Sequence, residues 1–172
     1  EMEKRVGDLA KKIHTGRSRN DLVVTSTRLY LKRKCDVVKT SLVNAEKALV
    51  RMAEKAKGAI IPGMTHLKKA QPVLMAHHLL AYVEMLEEDL ARLQDAQKRM
   101  SVLPLGSAAL AGSALNLDQR FLAKQLGFAR IATNSMAATS DRAFIAETLS
   151  ALSLLWVHLS RLAEDFMLWN SE

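Results

Sequence analysis

Between Leu31 and Ala56, apolar or small residues recur at alternating steps of four and three: Leu31, Cys35, Val38, Leu42, Ala45, Leu49, Met52 and Ala56. Such steps keep one stripe of an α-helix apolar, whereas a strand, with its period of two, would scatter the same residues over both faces. The pattern predicts a helix that Asp21 caps in its first turn and that Gly58 ends, ahead of Pro62-Gly63. At 1.5 Å per residue it is about 55 Å long. A second seam runs through Leu79, Val83, Leu86, Leu90, Leu93 and Met100, with Pro72 placed in its first turn. A third runs through Ile145, Leu149, Leu152, Leu159, Leu162, Phe166 and Trp169. Three such helices predict an all-α protein built as a long-helix bundle.

Leu80, Leu154, Leu155 and Trp156 lie off these stripes, so the helices need more neighbours than three helices supply, and packing against other subunits is expected. Between the second and third helices, residues 103–113 (LPLGSAALAGS) are small and glycine-rich, which suits tight turns or a ligand's close approach. A short helix capped by Asn116 or Asp118 and ended by Gly127 should follow. The chain opens at Glu1 and closes at Ser171-Glu172 directly after a helical pattern, so residues 1–172 read as one central helical region of a longer chain, truncated at both termini. The charged N-terminal stretch lacks a secretory signal, and no apolar run approaches a membrane span. A single cysteine, Cys35, excludes an internal disulfide and points to a reducing setting, the cytoplasm or an organelle with similar redox conditions, with cytoplasmic as the expectation. The net charge of +7 fits solvated lysine-rich faces or attraction of small anions. Nucleic-acid binding is not expected without a dense basic run.

Chemistry concentrates in three segments. His14-Thr15-Gly16-Arg17-Ser18-Arg19-Asn20-Asp21 puts two guanidinium forks, two hydroxyls, an amide and an imidazole just before a helix. Planar forks and helix-end N–H groups suit carboxylates; the same residue types also make ordinary caps. Residues 63–72 (GMTHLKKAQP) place Thr65 and His66 on a loop before the second helix, and imidazole is the side chain suited to proton transfer near neutrality. A lone loop histidine is equally a solvated surface residue. Thr139-Ser140-Asp141-Arg142 reads as the cap of the third helix, with Arg142 as an alternative anion contact. His77, His78 and His158 lie inside helices and read as structural, without the spacing of a zinc site.

Together these segments resemble the argininosuccinate lyase and δ-crystallin branch of the aspartase/fumarase superfamily. The resemblance is carried by HTGRSRND at 14–21, THLKKAQP at 65–72, VLPLGSAALAG at 102–112, Asn134-Ser135-Met136 with Thr139-Ser140-Asp141-Arg142, and His158-Leu159-Ser160-Arg161 with Ala163-Glu164-Asp165. HTGRSRND is the most specific, and the five together span nearly the whole chain. The resemblance implies a bundle of the aspartase/fumarase type and a homotetramer whose active sites draw on several subunits. It implies reversible β-elimination of argininosuccinate to L-arginine and fumarate, with no cofactor and no metal. His66 would be the catalytic acid, base or relay. Asn20, Thr65, Arg19, Ser18 and Gln71 would bind substrate, with His14 close by. A serine on a loop of the form SSxMPxKKN, not found in these residues, would be its partner, so residues 1–172 alone are expected to be inactive. Leu22 and Lys68 stand where the family has glutamine, Ala143 where an aspartate follows the arginine, and Ala108 where glycine is usual. The alternatives are an inactive crystallin-like structural homologue, a related fumarate-releasing lyase such as one acting on adenylosuccinate, or a basic helical binding module. No membrane partner is expected.

Overall fold

The computed structural model describes residues 2–170. Its elements are α1 (Met2–Val6), a 3-10 segment (Gly7–Lys12), α2 (Arg19–Lys55), β1 (Ile60–Thr65), β2 (Lys68–Leu74), α3 (Met75–Met100), β3 (Val102–Leu103), α4 (Gln119–Leu126), β4 (Arg130–Ile131), α5 (Ser135–Ser140) and α6 (Ala143–Trp169). The three long helices stand where their seams put them, and the fold is the helical one expected. The chain divides into two compact units: residues 1–34 with 97–145, and residues 35–96 with 146–172.

In the second unit the interior is made by Cys35, Leu42, Leu49 and Ala53 of α2, Leu79, Tyr82, Leu86 and Leu93 of α3, and Ala151 and Leu155 of α6. The first two seams are therefore real, although Met52 is exposed and Ala53 beside it is buried. The third seam is displaced. Leu149 is 58% exposed, and the buried stripe of α6 is Phe144, Thr148, Ala151 and Leu155. α6 is apolar around most of its circumference, so periodicity could not choose its inward face; two polar contacts with α3 do. His158 Nδ1 lies 2.6 Å from Asp89 Oδ2, and His78 Nε2 lies 2.8 Å from Asp165 Oδ2. His78 and His158 both lie inside helices, as expected, and each is tied to a carboxylate of the facing helix. Arg92 completes the charge around the fully buried Asp89 at 2.8 Å, and the Tyr82 hydroxyl donates to Asp165 at 2.5 Å. Burial and the Asp165 hydrogen bond push the Tyr82 pKa up to about 12. Contrary to the expectation that no stretch qualifies, α6 is long and apolar enough by length and composition to cross a membrane.

The larger departure is the hairpin. Pro72 does not open α3; it lies in β2, opposite Pro62 of β1. The antiparallel register pairs Thr65 with Lys68, which leaves His66 and Leu67 as a two-residue turn. Both have positive φ, 53° and 60°, as a type I′ turn requires. Ile60, Ile61 and Val73 supply the β-branched residues that favour this pairing, but no Asn-Gly pair announced the turn.

In the first unit, Leu103, Leu105, Ala123 and Phe128 form a small core, with Leu29, Leu122, Leu126 and Ile131 against it. α4 forms as expected: Asp118 Oδ1 accepts from Phe121 N at 2.9 Å, and Gly127 closes the helix at φ 71°. The parallel pair of β3 and β4 and the short α5, capped by Asn134, were not foreseen. Two-residue strands carry no alternation from which to read them.

Candidate functional site

The segment 14–21 is built around Asp21, whose side chain is buried in the first turn of α2. Ser18 N donates to Asp21 Oδ1 at 3.0 Å, while Ser18 Oγ accepts from Asn20 N at 3.2 Å. This is a reciprocal cap: each side chain satisfies a backbone N–H that the helix end leaves unpaired. Ser18 and Asp21 therefore share the capping role. The other Asp21 oxygen accepts from Gly106 N at 3.1 Å and Ala108 N at 2.9 Å, so one carboxylate clamps the 104–109 loop onto the start of α2. Gly106 stands at φ 102°, where a side chain is strained, and a Cβ there would meet the Gln119 side chain, whose Nε2 donates to Leu105 O at 3.1 Å.

That clamp sets Asn20. Its Nδ2 donates to Ala109 O at 3.0 Å, which fixes the amide plane and leaves a second amide hydrogen and the amide oxygen on an exposed side chain. Arg19 is exposed beside it and Ser18 is half-buried, its hydroxyl already spent on Asn20 N. The N–H groups of Ser18 and Asn20 are thus consumed internally, and fewer helix-end donors remain for an anion than the sequence suggested. Asp21 is the positioning residue that sequence reading undervalued. The Ser-x-x-Asp spacing signalled its first bond; its partners 85 and 87 positions away carried no signal.

Thr65 ends β1 and His66 opens the turn, both exposed and both on the hairpin rather than at a helix end as expected. Gln71 is exposed on β2, three residues beyond the turn-closing Lys68. A two-residue turn between paired strands is a short, defined platform for an imidazole. Ser18, Arg19 and Asn20 thus share one segment of the first unit, and Thr65, His66 and Gln71 share the hairpin of the second. His14 is exposed in a turn before α2. Asp141 caps α6 through Ala143 N at 2.8 Å, and Arg142 Nη1 donates to Thr139 O at 2.9 Å and Asp141 O at 3.2 Å. The capping reading of that segment is therefore borne out. Among the described residues no group of three or more His, Cys, Asp or Glu could hold a metal.

Comparisons with known proteins agree on kinship. A family model described as "Lyase" matches residues 1–172. The argininosuccinate lyase of Thermoanaerobacter sp. (strain X514) is 50% identical over 171 residues, covering 99% of this chain and 39% of that protein. The argininosuccinate lyase of Synechococcus sp. (strain CC9605) is 52% identical over 167 residues, covering 97% of this chain and 35% of that protein. Among solved structures, EDDS lyase in complex with formate superposes with a TM-score of 0.95 at 30% identity, covering 99% of this chain and 34% of that one. The chain thus spans under two-fifths of the length of the curated relatives it matches.

Proposed function

Because this chain belongs to the lyase family whose model spans it from end to end, we propose that the whole protein is an argininosuccinate lyase, splitting argininosuccinate into L-arginine and fumarate. The observation that carries this is identity of about half to argininosuccinate lyases over nearly every residue of the chain. The 30% identity to EDDS lyase is a more distant likeness.

The chemistry asks for what the two segments offer. Removing a weakly acidic proton beside a carboxylate builds negative charge on that carboxylate, so preorganised donors must be aimed at it. Asn20 is preorganised by Ala109 O and keeps an amide hydrogen to give. Arg19 adds a planar fork, and Ser18 caps the helix start that carries both. Thr65 and Gln71 bind the substrate's polar groups from the hairpin. His66 passes a proton, either at the carbon or to the departing guanidinium nitrogen, and a serine elsewhere in the whole protein serves as the opposite partner.

Residues 1–172 act as the central helical region of that protein. A homotetramer completes the sites and covers the exposed apolar faces of α6. Exposed Trp156, Val157 and Leu154 on that helix support burial against further helices. The setting is cytoplasmic, with Cys35 buried and its thiol pKa raised by that burial.

The test is fumarate release from argininosuccinate by the full-length protein, followed by ultraviolet absorbance. Activity should fall by about 10²–10⁴ in His66→Asn and by about 10² in Asn20→Ala. No release by a folded wild-type protein would reject the proposal. Release that His66→Asn leaves unchanged would keep the function and remove His66 from it.

A further inference from the structure

β2 ends at Leu74 and α3 begins at Met75, so the strand that follows the His66 turn runs into the helix without a linker. Met75 N donates to Ala59 O at 3.0 Å, which closes the base of the hairpin on the first residue of α3. Any tilt of that first helical turn therefore passes into the hairpin. His78 stands in the same turn. Its Nε2 lies 2.8 Å from Asp165 Oδ2 of α6, and the same oxygen accepts from the Tyr82 hydroxyl at 2.5 Å. The His78 ring meets Trp169 edge-on at 5.0 Å and Tyr82 at 5.7 Å, and Phe166 stands against Trp169 at 5.5 Å. Polar bonds converging on one oxygen, inside a set of ring contacts, leave these side chains little freedom.

The tip of the hairpin meets the same network. Met64 pairs with Lys69, beside the turn-closing pair of Thr65 and Lys68. It lines a cavity of about 330 Å³ together with His78, Tyr82, Met85 and Asp165. A hairpin running straight on from α3 would carry Met64 about 16 Å past the helix, at about 3.3 Å per residue of strand. Reaching that cavity requires the hairpin to lie back over α3 and α6. His66, two residues beyond Met64, is thus held close to this support. The other polar contact between α3 and α6, His158 with Asp89, does not line the cavity.

We propose that His78, Tyr82 and Asp165 are positioning residues for His66: their network fixes the root of the hairpin at α3 and supports its tip through Met64. The catalytic consequence rests on the lyase reading; the effect on the hairpin does not. Proton transfer depends steeply on placement, and a shift of about 1 Å can cost about 10²-fold in rate. A histidine on an exposed two-residue turn therefore needs such a support beneath it.

The experiment uses the full-length protein and four variants, Asp165→Ala, His78→Leu, Asp165→Asn and His158→Asn. Asp165→Asn keeps an oxygen that can accept from both partners, so it serves as the rescue. His158→Asn breaks the other contact between the same helices and reports general loosening of the pair. Thermal melting confirms that each variant is folded, and His78→Leu, which keeps an apolar side chain against Trp169, carries the test if Asp165→Ala unfolds. Amide hydrogen exchange across residues 60–74 reads the hairpin without substrate, and fumarate release gives kcat and KM. In Asp165→Ala and His78→Leu, hairpin exchange should quicken by about tenfold, and kcat should fall by about tenfold or more with KM within about threefold. Asp165→Asn and His158→Asn should stay within about threefold of wild type in both readouts. Hairpin exchange that Asp165→Ala and His78→Leu leave unchanged would overturn the proposal. Equal quickening in His158→Asn, or a normal kcat on a loosened hairpin, would do the same. A wild-type protein that releases no fumarate would reject the lyase reading instead, and hairpin exchange would then decide the positioning by itself.

Discussion

Asp21 carries three backbone N–H bonds on one buried carboxylate, from Ser18, Gly106 and Ala108. Asp21→Asn keeps the shape but turns one acceptor position into a donor facing N–H groups. Hydrogen bonds to a charged group are worth about 1.5–3 kcal/mol each, so a loss of about 2–3 kcal/mol is expected in denaturant unfolding. Ala108 works against the same clamp: it sits at φ 51°, a region where a Cβ is strained. Ala108→Gly should raise stability by about 1 kcal/mol, and no change in the unfolding midpoint would show that this backbone is relaxed. Glu46 offers a pH test. Burial, with Glu87 adding to it, raises its pKa above the usual carboxylate value, and its Oε1 is buried without a partner. A raised folded pKa means the native state holds the proton more tightly. Its contribution to stability is therefore full below the unfolded value, near 4.5, and is lost as pH rises through the folded one. Glu46→Gln should raise the melting temperature at neutral pH and lose that advantage in acid.

At the scale of elements, the hairpin and the α3–α6 contact decide how chemistry is presented. Leu67 is 82% exposed with φ 60°, so its side chain packs against little while its backbone is strained. Leu67→Gly should stabilise the turn by about 1 kcal/mol and leave fumarate release intact, because the platform under His66 is kept. A large fall in kcat with unchanged folding would instead give the Leu67 side chain a part in the reaction. Between α3 and α6, Tyr82 donates to Asp165 with its pKa raised to about 12. The proton on Tyr82 is thus favoured by folding. The stability it contributes is present below the unfolded value near 10 and is lost as pH rises towards 12. Urea unfolding should weaken between those limits in wild type, and less so in Tyr82→Phe.

At the scale of the whole molecule, α6 shows solvent a face containing Trp156 at 69% exposure, with Val157, Leu154 and Met167 also exposed. In the proposed tetramer this face is covered. Trp156→Lys should therefore lower the solution mass of the full-length protein in light scattering and, if the proposed tetramer shares its sites between subunits, reduce fumarate release with it. A full-sized tetramer with normal activity would move the interface elsewhere.

The positions of the three long helices, the capped α4 and the family itself were legible in the amino-acid sequence. Steps of four and three, a Ser or Asp before a helix, and a glycine after it act over a few residues, where the chain's own geometry decides the outcome. Which face of α6 turns inward was not legible, because an almost wholly apolar helix contains no contrast to read; His158 meeting Asp89 and His78 meeting Asp165 settle it across 69 and 87 positions. Pro72 looked like a helix opener, yet proline also tolerates the edge of a two-stranded hairpin, and only pairing with Pro62 decides between them. The candidate site divides in the same way. Asn20, Thr65 and His66 were readable as residue types in motifs, whereas the grip of Asp21 on residues 106 and 108 exists only once distant backbone is folded together.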